Sequence, residues 1–116
     1  MKIMFASDIH GSAYYCRKML DIYSESGAGR LVILGDLLYH GPRNDLPREY
    51  APKEVIAMLN PLKNQIYAIR GNCDTEVDQM VLEFPILADY GLLVLEGKVF
   101  YATHGHVYNQ DRLPPL

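Results

Sequence analysis

Four short polar clusters carry side chains able to hold a metal ion: Asp8-Ile9-His10, Gly35-Asp36, Gly71-Asn72-Cys73-Asp74 and Thr103-His104-Gly105-His106. Carboxylate oxygen, imidazole nitrogen and amide oxygen are donors for hard or borderline divalent cations. No thiolate is needed, which argues against a structural zinc site. Asp8 and His10 are two positions apart, so an extended segment points both the same way. Asp36 has two oxygens and can bridge two ions about 3.5–4 Å apart, the spacing of two-metal hydrolytic sites. Gly35, Gly71 and Gly105 allow sharp turns beside such ions. Taken singly, each cluster is weak evidence. Asp-x-His is more often a cap or a surface pair, Gly-Asp and Gly-Asn are turn chemistry, and loop histidines are commonly solvated. The set gains weight from its order, its shared chemistry and its place in the fold.

That place is read from the elements between the clusters. Apolar runs at residues 2–6 and 31–34 suit strands covered on both faces of a parallel sheet. Between them, Ala13, Cys16, Leu20 and Tyr23 recur at helical steps, with Ser12 as N-cap and Gly27 as stop. Residues 35–51 form a long loop broken by Gly41-Pro42 and Pro47, and loops of that length are usually functional or disordered. Pro52 opens a second helix with Val55, Met58 and Leu59 on one face, and Pro61 limits it. A third strand spans about residues 65–69. Asp74 or Thr75 caps a third helix with Val77, Met80, Val81 and Phe84 on one face, ended before Pro85. Residues 92–95 and 99–102 around Glu96-Gly97 read as a β-hairpin. Each polar cluster follows a strand, at the edge where open α/β sheets place ligands.

The chain of 116 residues suits one domain, 1–116, with no linker or repeat. Formal net charge is −3 with no Lys/Arg cluster, which argues against a nucleic-acid groove. No apolar run approaches the ~20 residues of a membrane helix. The start lacks a signal-peptide layout, so a cytoplasmic location is expected. Cys16 and Cys73 are expected to be free thiols.

In order, Asp8-x-His10, Gly35-Asp36, Gly71-Asn72 and His104-Gly105-His106 resemble the signature of the calcineurin-like metallophosphoesterase superfamily. The stretches Phe5-Ala6-Ser7-Asp8-Ile9-His10-Gly11-Ser12 and His40-Gly41-Pro42-Arg43-Asn44, with Gly71-Asn72-Cys73-Asp74, are most similar to its small bacterial phosphodiesterases of the YfcE type. The resemblance implies an αββα sandwich, of which this chain holds the N-terminal part: a mostly parallel sheet with flanking helices plus a β-hairpin. It implies Asp8 and His10 on a first ion, Asp36 bridging, and Asn72 and His104 on a second. Manganese is the implied metal, two ions in all, with other divalent ions as substitutes. The implied reaction is attack of a metal-bound hydroxide on a small phosphodiester, with Asp36, Asn72 and Cys73 around the reacting group. Arg43 is a candidate phosphate contact, against the bland reading of a solvated loop charge. His40 has a similar standing. His106 either orients His104 or touches substrate.

Two departures stand out. Cys73 lies where many superfamily members have a histidine thought to assist the leaving group, and a thiol with an unperturbed pKa of about 8.5 is a poorer acid partner. A final Gly-His-x-His motif, implied farther along, is absent from this sequence, so five of seven implied ligands are present. The expectation is a metal-dependent phosphodiesterase domain. The alternative is a catalytically impaired, truncated relative acting as a binding module, as the retromer subunit uses this fold. An uncovered hairpin would also favour a homo-oligomer.

Overall fold

Three short parallel strands set the frame. The computed structural model describes residues 2–115. Strands β1 (Ile3–Ala6), β2 (Arg30–Ile33) and β3 (Ile66–Ala68) form one sheet in the order β1-β2-β3, every pair parallel. Helix α1 (Ala13–Ser26) links the first two strands. Helix α2 (Pro52–Leu59) and a 3₁₀ turn (Asn60–Leu62) lead into the third. Helix α3 (Glu76–Val81) follows, then β4 (Gly91–Leu95) and β5 (Lys98–Ala102), an antiparallel pair forming a second sheet. Among the described residues, no helix is long and apolar enough to cross a membrane.

Alternation along the strands divides the molecule. Met4, Ala6, Leu31, Ile33, Ile66 and Ala68 face α1 and α2, and pack with Cys16, Met19, Tyr23, Val55 and Leu59. The other face carries Ile3, Val32 and Tyr67, which together with Leu92–Leu95 of the hairpin line a cavity of about 340 Å³. Gly91 makes this approach feasible, since a Cβ there would stand 2.1 Å from the Tyr67 hydroxyl. The expectation that β1 is covered on both faces fails. It is an edge strand, and Phe5 is 51% exposed. Only the central strand is sealed, with Leu31, Val32 and Ile33 all buried.

Helix ends follow local chemistry. Ser12 caps α1 by accepting from the Tyr15 N–H, and Gly27 closes it at φ 74°. The α1 stripe is rotated slightly from expectation: Met19 is buried and Leu20 only half-buried. Thr75, rather than Asp74, caps α3, in a capping box with Asp78. The predicted apolar face of α3 is not part of the core. Val77 and Val81 are exposed and Met80 is 83% exposed. The chain after the helix is extended and buries every second residue instead, Leu82, Phe84 and Ile86. Gln79 fixes that segment, donating to the Leu82 and Phe84 carbonyls and accepting from the Ile86 N–H. Phe84 is therefore core, as expected, but outside the helix.

The long loop is tied to the start of α1. Ala13 N–H donates to the Glu49 carbonyl, and Ala51 N–H to the Gly11 carbonyl. Ser12 is fully buried and also donates its hydroxyl to the Arg48 carbonyl at 2.5 Å. Ser12→Ala thus removes a cap and a second hydrogen bond. An N-cap is worth about 1 kcal/mol, and the bond to the carbonyl of the exposed Arg48 a further ~0.5–1.5 kcal/mol. Urea unfolding should show a loss of about 2 kcal/mol, whereas Ser12→Thr, which keeps the hydroxyl, should lose under about half of that. Equal losses in the two variants would remove the hydroxyl from the account.

Candidate metal centre

The loops after β1 and β2 are joined by three backbone bonds: Asp8 N–H to the Gly35 carbonyl, His10 N–H to the Asp36 carbonyl and Gly11 N–H to the Leu37 carbonyl, at 2.8–3.0 Å. This pairing holds Asp8, His10 and Asp36 at φ 60°, 50° and 58°. Left-handed backbone at a non-glycine residue costs roughly 1–3 kcal/mol and persists only where surroundings impose it. Its result here is that three ligand-type side chains turn into one space.

Asp36 is at the centre, 2% exposed. Its Oδ1 accepts from the Cys73 N–H at 2.8 Å. Its Oδ2 is 3.5 Å from His10 Nε2 and 3.3 Å from His104 Nε2. Asp8 Oδ1 is 3.1 Å from His10 Nε2, and Asn72 Oδ1 is 3.0 Å from His104 Nε2. The five side chains expected to hold metal thus meet in one mouth at the C-terminal ends of the strands. Gly71 brings its loop against Asp36: a Cβ there would lie 2.3 Å from Asp36 Oδ1.

Backbone carbonyls orient both rings. His10 Nδ1 is 2.8 Å from the Tyr39 carbonyl, and His104 Nδ1 is 2.6 Å from the Leu34 carbonyl. A carbonyl only accepts, so Nδ1 carries hydrogen and a neutral ring presents an Nε2 lone pair inward. Those lone pairs then face carboxylate and amide oxygens, acceptor against acceptor. Protonating both rings or placing a cation between them resolves this. Among the described residues, Asp8 and Asp36 have only histidines as ion-pair partners. Burial pushes the Asp36 carboxyl above its ordinary range; the Cys73 N–H and His104 offset this in part, and Asp8 adds to it. At Asp8, burial acts upward but is outweighed by hydrogen bonding from Ser7 and by its other neighbours, and the carboxyl lies below its ordinary range. A divalent cation would stabilise both ionised carboxylates.

The donors form two pairs beside Asp36: Asp8 lies against His10 at 3.1 Å, and Asn72 against His104 at 3.0 Å. Asp8, Asp36 and His104 also place ligand atoms within 4.8 Å of one another across these pairs. A buried carboxylate flanked by such donors fits divalent metal.

A family model described as calcineurin-like phosphoesterase matches residues 1–115. The chain belongs to the calcineurin-like phosphoesterase family. Within it, the chain is 52% identical over 116 residues to the phosphodiesterase YfcE of Escherichia coli K12, and equally to that of E. coli O157:H7. These alignments cover all of this chain and 63% of each relative, so the chain spans less than two thirds of their length. A solved structure of YfcE, a phosphoesterase from E. coli, superposes with a TM-score of 0.96 at 52% identity, over 100% of this chain and 64% of that one. The calcineurin-like phosphoesterase fold is therefore present as an α/β arrangement of parallel sheet and flanking helices.

Other predicted site residues take different places. His106 is exposed, its ring edge-on to His104 at 5.3 Å. It does not orient His104, because the Leu34 carbonyl does. Arg43 is exposed on a turn held by Asn44, whose side chain donates to the His40 carbonyl. His40 itself lies edge-on to Tyr39 and Tyr50. Burial pushes the Cys73 thiol above its ordinary range, and the carboxylates of Asp36, Asp74 and Asp8 add to that.

One residue of the site escaped sequence reasoning. Asp74 is buried and accepts three backbone N–H groups, from Asp36 and Gly71 at 2.7 Å and from Leu37 at 3.1 Å. It joins the loops after β2 and β3. Its adjacency to Gly-Asn-Cys was the available signal, but that adjacency also suits a helix cap.

Proposed function

We propose that this chain carries the principal part of a metal-dependent phosphodiesterase site acting on small phosphodiesters. The supporting observation is the buried Asp36 carboxylate flanked by two donor pairs at one open mouth. Asp8, His10, Asp36, Asn72 and His104 would hold two divalent ions, with manganese as the working metal. Such ions activate water and stabilise charge on phosphoryl oxygens. The residues do the positioning. The Tyr39 and Leu34 carbonyls keep both Nε2 atoms inward, and the Cys73 N–H fixes Asp36. Arg43 pairs with no carboxylate among the described residues and is assigned to a non-bridging phosphate oxygen. His106, exposed at the rim, is assigned to the ester group of the substrate.

The Cys73 thiol, raised by burial, is poorly suited to protonate a leaving group. Esters whose leaving group needs no proton should therefore react faster. General acid help is typically worth about 10²–10⁴-fold, so a nitrophenyl diester should outpace an alkyl diester by at least that margin. The test is hydrolysis of both by the 116-residue chain with and without manganese, beside equilibrium dialysis for bound metal. Uptake of two manganese ions with metal-dependent release of nitrophenolate is expected. Failure to bind manganese, or turnover unaffected by a chelator, would overturn the proposal.

A further inference from the structure

A small apolar groove of about 230 Å³ lies beside the metal centre. Tyr39 and Tyr50 line it from the long loop, Ile56 from α2, and Val77 and Val81 from α3. Topology places it at the ligand-bearing edge. Helix α2 returns the chain from the end of β2 to the start of the parallel strand β3, so its first turn lies at the C-terminal edge of the sheet. Helix α3 begins two residues past Asp74, whose carboxylate accepts from the Asp36 N–H at 2.7 Å. Tyr39 stands three residues past Asp36, and three Cα steps span at most about 11 Å. Its carbonyl is 2.8 Å from His10 Nδ1, so one residue orients a ligand and lines the groove. His40 props both tyrosines, its ring edge-on to Tyr39 at 4.9 Å and to Tyr50 at 5.3 Å.

The lining selects its occupant. Tyr39, Val77 and Val81 turn apolar surface toward solvent that the core does not use. Among the described residues lining the groove there is no Lys or Arg, and the one carboxylate, Asp78, accepts from the Thr75 N–H in the capping box. An anionic group is repelled there and a neutral apolar one is retained. An apolar cavity of about 150 Å³ is enough to hold benzene. The groove therefore admits one aromatic ring, while a helix roughly 10 Å across does not fit.

We propose that this groove is a substrate subsite, receiving one neutral aromatic ester group of a phosphodiester whose phosphate sits at the metal centre. The inference rests on the phosphodiesterase reading above and adds the class of ester to it. Diesters whose corresponding group carries further phosphates or carboxylates are disfavoured by Asp78 and by the lack of a facing cation.

Benzylphosphonate and methylphosphonate test this without turnover, because a methylene stands where the ester oxygen would and the phosphorus–carbon bond is not hydrolysed. In calorimetric titration of the 116-residue chain with manganese present, benzylphosphonate should bind at least about tenfold more tightly than methylphosphonate, the gain from burying a ring. Val77→Asp and Val81→Asp, which put charge into the groove at exposed positions, should each cut that preference to under about threefold. Val77→Ile, which keeps the apolar surface, should retain it. Met80→Ser, on α3 but outside the groove, should retain it too. Equal binding of the two phosphonates by wild type, or a preference that survives both aspartate variants, removes the subsite and leaves the phosphodiesterase reading standing. Absence of manganese-dependent binding of either phosphonate overturns both.

Discussion

Asp36→Asn should lower manganese affinity at both positions together, by at least about 100-fold, since losing even an outer hydrogen-bond partner of a metal ligand costs 10–100-fold. The reason lies in the shared carboxylate. Asp36 Oδ2 is within 3.5 Å of both inward-facing Nε2 atoms, one in each donor pair. An amide keeps an oxygen for the Cys73 N–H but loses the charge and the second oxygen. His10→Gln, by contrast, should weaken mainly one ion, because His10 stands with Asp8 while Asn72 and His104 pair on their own. Calorimetric titration separates these outcomes. Equal and mild losses in the two variants would remove the bridging role.

A simple unfolding effect can be distinguished. Burial raises the folded-state pKa of Asp36, so its ionised form opposes folding above that pKa. Below the ordinary carboxylate range the group is neutral in both states and exerts no such penalty. Asn carries none at any pH. With chelator present, Asp36→Asn should therefore unfold at a urea concentration no lower than wild type near neutral pH. A large loss of affinity beside unchanged or raised stability assigns the effect to the metal. A fall in stability of the same size would assign it to folding.

The site was legible as residue types in order, because every ligand-type cluster follows a strand and strand positions follow from apolar runs. Ser12, Gly27 and the Glu96-Gly97 turn were legible because caps and turns are local chemistry. What was hidden depends on distant partners. Two backbone carbonyls, Tyr39 and Leu34, set the ring orientations, and a carbonyl carries no signature of its residue. Helix α3 misled because its apolar spacing is helical, yet six residues beside an extended segment with its own two-residue alternation did not need to enter the core. Phe5 misled for a similar reason: an apolar run does not say which strand is the edge.

Asp74 is the sharpest case, and it carries the largest expected change in stability. Its carboxylate bonds span 37 and 38 residues to Leu37 and Asp36, as well as three to Gly71. All three partners are backbone N–H groups in tight loops that cannot turn to find another acceptor. Asp74→Ala leaves three buried donors unpaired, each costing about 1–3 kcal/mol. Water entering the vacated space recovers part of this. A net loss of about 3–5 kcal/mol is expected, a large share of the ~5–15 kcal/mol by which such a domain is stable. Asp74→Asn keeps one acceptor oxygen but turns an amide N–H toward another N–H, so it should fall between wild type and alanine. The loops after β2 and β3 would also loosen, moving Asp36 relative to Asn72, so manganese affinity should drop even where the variant remains folded. Urea unfolding in chelator, followed by manganese titration of the folded protein, measures both effects. An alanine variant within about 1 kcal/mol of wild type would mean that water serves these three donors as well as the carboxylate does.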